Sequence, residues 1–326
     1  MSPGRRFCIA CLALWAFSFG PATQAQSPWP TKPIRLIVPI AAGGVTDAIV
    51  RKASQAMSTR LGQPLIVDNR PGANGVVGGE ACARAAPDGY TLCVLNTGIT
   101  SVNPVIYDKH PFDPATAFAP IGNLYFLTGA LVAANSLPIK SVNELLAFAQ
   151  TQSNSINFGT IGPGSYPEVF LGWLNNHWKV DITGIPYKGG GPVSLALLAG
   201  EVQISAAALG NFIGQIQSGR ITALAVSSSR RAKLLPNVPT YSEVGLGGFQ
   251  GHLWWGLFAP AGTPPAIVAK LNAEFNQLFK EPQFIEFLES HAAESAVGTT
   301  EAFAAFVKSD QEWTASVLKS IKNMPH

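Results

Sequence analysis

Charge is scarce in this chain: Asp, Glu, Lys and Arg together make up 13% of its 326 residues, and the formal net charge is +3. That excludes long like-charged tails. It also excludes the clustered basic surface that nucleic acid requires, so no nucleic-acid partner is expected. Histidine is sparse as well. His110, His177, His252, His291 and His326 stand apart, with no H-x-x-E-H or H-E-x-x-H among them, so no metal ligand set is offered. There is no Gly-Lys pair, which removes the phosphate loop of nucleoside triphosphatases. Residues 72–78 imitate a dinucleotide loop at the wrong spacing, and a turn with a close helix approach accounts for their glycines. No cofactor is expected. What the chain has in quantity is apolar side chains, 47% of the total, together with 32 glycines and 25 prolines, enough for a large core and many turns.

The N-terminus reads as an export signal. Arg5 and Arg6 precede an apolar run over residues 7–19, too short to span a bilayer. Thr23-Gln24-Ala25 is a small-x-small pattern that places cleavage after Ala25. Loss of the two arginines lowers the formal charge from +3 to +1. Cys8 and Cys11 form a C-x-x-C inside this segment and leave with it, so that motif is neither redox-active nor a zinc site. Cys82 and Cys93 remain. They read either as two buried small hydrophobes or as a disulfide, which export permits and spacing alone does not decide.

Two strand-to-helix junctions are built alike. One runs from Ile34-Arg35-Leu36-Ile37-Val38 through Ala42-Gly43-Gly44-Val45-Thr46-Asp47 into an amphipathic run. The other runs from Ile156-Asn157-Phe158 through Gly159-Thr160-Ile161-Gly162-Pro163-Gly164-Ser165. A glycine loop entering a helix presents unpaired N–H groups at the positive end of the helix dipole, which is a ready anion site. Candidate binding residues are therefore Ala42, Gly43, Gly44, Thr46 and Asp47 at the first junction and Thr160, Gly162, Gly164 and Ser165 at the second. Asp47 also has a purely structural reading, as an acid complementing the dipole, and Thr46 and Ser165 read as helix caps.

Elements alternate around these junctions. The order β-α-β-α-β up to Cys93 argues a parallel sheet covered on both faces. A second unit opens near Leu124 with an apolar strand over 125–133 and a capping box at Ser141 and Glu144. It continues with strands over 183–187, 202–206 and 221–226. The chain returns near Gly248 to a strand at Leu253, where Trp254 and Trp255 face opposite ways. Thr263-Pro264 reads as an N-cap followed by proline at the first helical position, and only helices are expected after it.

Several segments carry a likeness in order and spacing: Trp29-Pro30-Thr31-Lys32-Pro33-Ile34, Asn69-Arg70-Pro71-Gly72-Ala73, Ala86-Pro87-Asp88-Gly89-Tyr90-Thr91-Leu92, Pro186-Tyr187-Lys188-Gly189, Leu235-Pro236-Asn237-Val238-Pro239-Thr240 and Ala259-Pro260-Ala261-Gly262-Thr263-Pro264. The chain resembles the periplasmic substrate-binding proteins of tripartite tricarboxylate transporters, the Bug family, over nearly all of its length after residue 25. The resemblance implies an α/β, two-domain Venus-flytrap fold of the type II periplasmic-binding-protein kind. Two crossover strands, near Leu124-Tyr125-Phe126 and Trp254-Trp255-Gly256, would join the domains, with a ligand cleft between them. The corresponding division is a signal peptide over 1–25, domain 1 over 26–124 plus 256–326, and domain 2 over 125–255. It also implies a monomeric, non-enzymatic receptor with no catalytic residue, which holds a small carboxylate by backbone N–H groups and ordered water and delivers it to integral-membrane permease subunits. Thr97, Gly98 and Tyr187 join the candidate binding residues on this ground. Three positions depart from the family pattern. Val45 stands for a usual glycine, Glu168 for a frequent histidine, and Ala207-Ala208 for a common Asp-Asn pair. The alanines favour a less polar small organic acid, aromatic rather than citrate-like, with a dicarboxylate also open. The rival function is a secreted hydrolase acting through Ser165, although Pro163 and Pro167 occupy the positions where a nucleophile elbow has glycine.

Overall fold

The computed structural model describes residues 29–249 and 251–320; the expected signal peptide, with Cys8 and Cys11, lies outside the described residues. A six-stranded sheet is built from β1 (Ile34–Val38), β2 (Leu65–Asn69), β3 (Thr91–Asn96), β4 (Phe118–Leu127), β10 (Leu253–Pro260) and β11 (Ala293–Ser295). Its spatial order is β11-β4-β10-β3-β1-β2. A five-stranded sheet holds β5 (Gly129–Ala134), β6 (Asn157–Thr160), β7 (Thr183–Pro186), β8 (Ile204–Ala208) and β9 (Ile221–Val226), in the order β7-β6-β8-β5-β9. Around the sheets lie α1 (Val45–Leu61), α2 (Val76–Ala83), α3 (Asn103–Ile106), α4 (Pro114–Ala117), α5 (Val142–Gln152) and α6 (Tyr166–Trp178). The remaining helices are α7 (Gly190–Ala199), α8 (Ile213–Gln217), α9 (Pro265–Leu278), α10 (Pro282–Ser290) and α11 (Thr300–Ser320). No described helix is long and apolar enough to cross a membrane.

Strand alternation sorts the core. In β1, Ile34, Leu36 and Val38 face one layer with Ile49 and Met57 of α1 and Phe275 of α9, while Ile37 faces Cys82, Cys93 and Phe303 on the other side. In β10, Trp255 and Leu257 join the first layer, and Trp254 and Phe258 join the second, so the two tryptophans do face opposite ways. The second sheet repeats the scheme. Leu131 and Ala133 of β5 pack with Phe170 and Leu174 of α6, whereas Ala130 and Val132 pack with Val193 and Leu197 of α7.

The apolar run expected as one strand over 125–133 is two strands in two sheets. β4 ends at Leu127, and β5 begins at Gly129 on the far side of Thr128. Within the first sheet β4 pairs antiparallel with β10, from Phe118 opposite Pro260 to Leu127 opposite Leu253. The stretch after β10 also holds a strand that periodicity did not reveal: three-residue β11 adds to β4, Ala293 opposite Leu127. Thr263 is not a helix cap. Helix α9 starts at Pro265, and the Thr263 hydroxyl donates to the Pro260 carbonyl at 2.8 Å. The capping box at α5 is present in shifted form: Ser141 Oγ accepts from the Glu144 N–H at 3.2 Å, and Glu144 Oε2 accepts from the Lys140 N–H at 2.7 Å.

Cys82 of α2 and Cys93 of β3 are joined as a disulfide with both residues fully buried, tying a helix to the strand it covers. Alkylation in denaturant without reductant is expected to leave both thiols unlabelled. The Cys82→Ala/Cys93→Ala double variant should unfold with a loss of about 2–4 kcal/mol in a denaturant titration. Full labelling of both residues in the exported protein would contradict the bond.

Candidate functional site

Parallel strands in both sheets end on the same side, and their following loops converge on one cavity of about 480 Å³. From the first sheet come the loops after β1, β2 and β3; from the second come those after β6, β7 and β8. Its floor is the crossover pair itself, Leu127 of β4 and Leu253, Trp254 and Trp255 of β10. Of the residues singled out in the sequence, Ala42, Gly43, Gly44, Thr46, Thr97, Gly98, Gly164 and Ser165 line this cavity. Asp47, Thr160, Gly162 and Tyr187 do not.

Asp47 lies behind the wall for a clear reason. It sits at the third position of α1, whose N-cap Gly44 has no side chain to offer. Its carboxylate therefore performs the capping. Oδ2 accepts from the Gly43 N–H at 3.0 Å and from Arg51 Nε at 2.9 Å, and Oδ1 accepts from Asn69 Nδ2 at 3.0 Å. Burial opposes the charge, but the bonds from Arg51, Gly43 and Asn69 outweigh it and hold the carboxyl below its ordinary value. One amide expected to grip an anion is thus already occupied by the protein's own carboxylate. The Val45 and Thr46 amides at the helix start remain without intrahelical acceptors. Tyr187 is turned aside too, its hydroxyl donating to Glu201 Oε2 at 3.3 Å.

On the second lobe Ser165 occupies the N-cap position of α6, yet its hydroxyl makes no capping bond. Its Oγ has no partner among the described residues, and the residue is only 3% exposed. No histidine or carboxylate stands within hydrogen-bonding reach of it, so the arrangement lacks the base that a nucleophilic serine requires. Beside it, residues 188–192 form a third glycine junction, from β7 into α7, that sequence reasoning placed but did not assign to the site. It brings Lys188, the only charged residue lining the cavity among the described residues and one that joins no ion pair there. Asn211, which follows β8, packs directly over Gly190 at the start of α7. The signal for this third junction was present as Gly189-Gly190-Gly191 followed by Pro192.

The loop after β3 is held from a distance. Thr97 Oγ1 and Ser101 Oγ both donate to Asp310 Oδ2 of α11, at 2.7 and 2.5 Å, and Gln311 Nε2 donates to the Thr100 carbonyl at 3.0 Å. Burial pushes the Asp310 carboxyl above its ordinary value, while Ser101, Thr97, Trp254 and the charge of nearby His252 pull it part of the way back.

The lobes touch on both flanks of the cavity. Gly164, at φ +74°, leaves room for first-lobe side chains: a Cβ there would stand 2.5 Å from Ile106 Cδ1 and 2.9 Å from Asn74 Nδ2. On the other flank, Val45 Cγ2 lies 3.0 Å from where a Cβ on Gly210 would be.

Two mixed sheets joined by two crossovers, with a cavity at the converging strand ends, define a two-domain periplasmic binding protein of the Venus-flytrap class. The profile described as the tripartite tricarboxylate transporter family receptor matches residues 49–322, and the chain belongs to that family. It is 30% identical over 312 residues to protein BugT of Bordetella pertussis, covering 95% of this chain and 96% of BugT. It is 33% identical to a Pseudomonas sp. strain P51 protein from the tcbD-tcbE intergenic region, covering 95% of this chain and 92% of that one. Among solved structures, Rpa4515 of R. palustris with adipate superposes at a TM-score of 0.85 with 29% identity, covering 90% of this chain and 98% of that one. MatC of Rhodopseudomonas palustris with bound malate gives 0.82 with 32% identity, covering 89% and 100%. As a member of that receptor family, the chain is a receptor, not an enzyme.

Gly164→Ala combines a left-handed backbone with an inter-lobe clash, so it is expected to weaken ligand affinity about tenfold, or about 1.4 kcal/mol, with the radius of gyration in solution scattering staying large after ligand addition. Unchanged affinity would show that this flank does not close on the ligand. A second expectation concerns Asp310. Its folded-state carboxyl titrates above the ordinary 3.8, so the folded protein binds more protons than the unfolded chain between the two values. Stability from this group falls as pH rises through that interval and is level beyond it. Asp310→Asn keeps an acceptor for both hydroxyls and should flatten the part of the curve of melting temperature against pH that lies just above 3.8. An identical slope in variant and wild type would contradict the assignment.

Proposed function

We propose that the protein captures a small organic acid between its two lobes, the guest's carboxylate set against the starts of α6 and α7, and delivers it to integral-membrane permease subunits. The observation that carries this reading is the unpaired ammonium of Lys188 on a cavity that also holds the buried, unpartnered hydroxyl of Ser165. Asn211 adds a third polar side chain at the same end. The Val45 and Thr46 amides of the first lobe complete the grip from across the cleft, where Ala42, Gly43, Gly44, Thr97 and Gly98 shape the wall. The solved relatives with adipate and malate support a carboxylate. On this reading the moving bodies are 26–124 plus 256–326 and 125–255, the working form is a monomer, and the signal is cleaved near Ala25 so that the receptor acts in the periplasm.

Magnitudes say where the affinity comes from. A helix start contributes about 0.3–1 kcal/mol toward an anion, up to about 2 when partly buried. Micromolar capture takes about 8 kcal/mol. Three helix starts fall short of that, so charge-assisted hydrogen bonds from Lys188 and Ser165, bridging water and burial on closure must supply the rest.

Incubation with a panel of organic acids should raise the melting temperature without consuming any of them. At about 100 times the dissociation constant, linkage gives roughly 2.7 kcal/mol of stabilisation. Lys188→Gln should reduce that response for every acid in the panel while leaving the melting temperature of the free protein unchanged. Equal responses from variant and wild type would remove Lys188 from the binding site.

A further inference from the structure

Resting on the receptor reading above, we propose that the guest is a monocarboxylic acid with an apolar, ring-sized body, aromatic or alicyclic, rather than a di- or tricarboxylate. The cavity has one polar pole. Lys188, Ser165 and Asn211 line it, make no side-chain hydrogen bond among the described residues and stand at the starts of α6 and α7. The Tyr166 hydroxyl and the Trp254 ring N–H are also unpartnered, but Tyr166 lies against Tyr241 and Ser227 and Trp254 against Asp310. Ser165 is the decisive one, a hydroxyl on the cavity wall that is only 3% exposed and makes neither a capping bond nor any other hydrogen bond among the described residues.

Asn74, Asn96 and Thr97 on the same wall are already engaged by the protein. Asn74 Nδ2 donates to Asn103 Oδ1 at 2.9 Å, Asn96 Oδ1 accepts from the Ile99 N–H at 3.3 Å, and Thr97 donates to Asp310. Thr46 lies against the buried Tyr125 hydroxyl. At the start of α1, where a second carboxylate would have to lodge, the Gly43 amide is already taken by Asp47, and the nearby guanidinium of Arg51 is spent on that same carboxylate. Facing the polar pole is a continuous apolar surface. Ile40, Val45, Leu127, Ala208, Leu253 and Trp255 all line the cavity and all belong to one packed cluster that runs from the first lobe into β8 of the second. A second charged group turned toward that surface would lose water and find no polar side chain among those residues to replace it. A ring would bury apolar area on both sides. The volume of about 480 Å³ accepts such a body with the lobes in contact.

The test is titration calorimetry on the whole exported protein, freed of co-purifying acid by unfolding and refolding. The probes are benzoate, cyclohexanecarboxylate, benzamide, adipate, malate and citrate. At least one ring acid should bind ten times more tightly than adipate, malate and citrate, and benzamide, which keeps the ring without the charge, should bind at least ten times more weakly than benzoate. Ala208→Asn should cost ring acids about tenfold in affinity. If that variant does not fold, the wild-type panel alone decides. Tighter binding of adipate, malate or citrate than of both ring acids overturns the proposal and leaves the receptor reading standing. Absence of a response to every acid overturns the receptor reading and this proposal together.

Discussion

The pairing of β4 with β10 is the constraint from which the rest of the molecule follows. These two strands lie side by side in the first sheet over their whole length, and each leads out of it into the second lobe, β4 through Thr128 and β10 from the stretch that follows β9. Because they are antiparallel and adjacent, the two connections leave from one place. The second sheet must then stand opposite the ends of the parallel strands of the first. The cavity floor is made of the same residues, with Leu127 opposite Leu253, so the element that joins the lobes also seals the bottom of the cleft against water.

Above that floor, most polar groups are consumed by the architecture. Asp47, Arg51 and Asn69 lock the first junction to the end of β2, with Arg51 Nη2 donating to Asn69 Oδ1 at 2.6 Å and Asn69 Nδ2 donating to the Ile40 carbonyl at 3.2 Å. Asp310 does the same for the loop after β3. A loop tied down in this way loses little further entropy when a ligand arrives. The groups left untied are therefore meaningful, and they are concentrated on the second lobe. The first lobe supplies a pre-formed, largely satisfied wall, and the second supplies the charge and the unsatisfied hydroxyl.

Much of the fold was legible because it rests on local patterns. Alternation of glycine-punctuated strands and amphipathic helices pointed to the parallel strands β1, β2 and β3, and the opposite facing of Trp254 and Trp255 follows from strand geometry alone. The break at Thr128 was hidden because Leu124–Leu127 before it and Ala130–Ala133 after it are equally apolar and Thr128 itself is buried, so one polar residue alone marks the change of partner. Three-residue β11 exists only because β4 offers an open edge, which is a tertiary cause. In the site, glycine loops announced where amides would lie but not which were already spent. Gly43 loses its N–H to Asp47 four residues away, an ordinary capping geometry in keeping with the structural reading of that acid. Asp310 was beyond reach for another reason: it acts 213 residues from Thr97, and nothing in its own neighbourhood betrays that partner.

The same long helix bears on how the lobes move. Phe303 of α11 packs in the first-lobe core with Trp254 and Phe258, whereas Trp313 and Leu318 pack against the second-lobe core, Trp313 meeting Phe249 edge-on with centroids 5.8 Å apart. Helix α11 thus spans the division between lobes, and any opening about the crossovers must part or slide that contact. Apolar packing of α11 therefore joins the two lobes independently of any guest. Binding shifts an equilibrium of opening and closing only by the difference in ligand affinity between open and closed forms. A guest gripped by both lobes as proposed would have that difference built in, because the amides of Val45 and Thr46 and the pole formed by Ser165 and Lys188 line the cavity from opposite lobes.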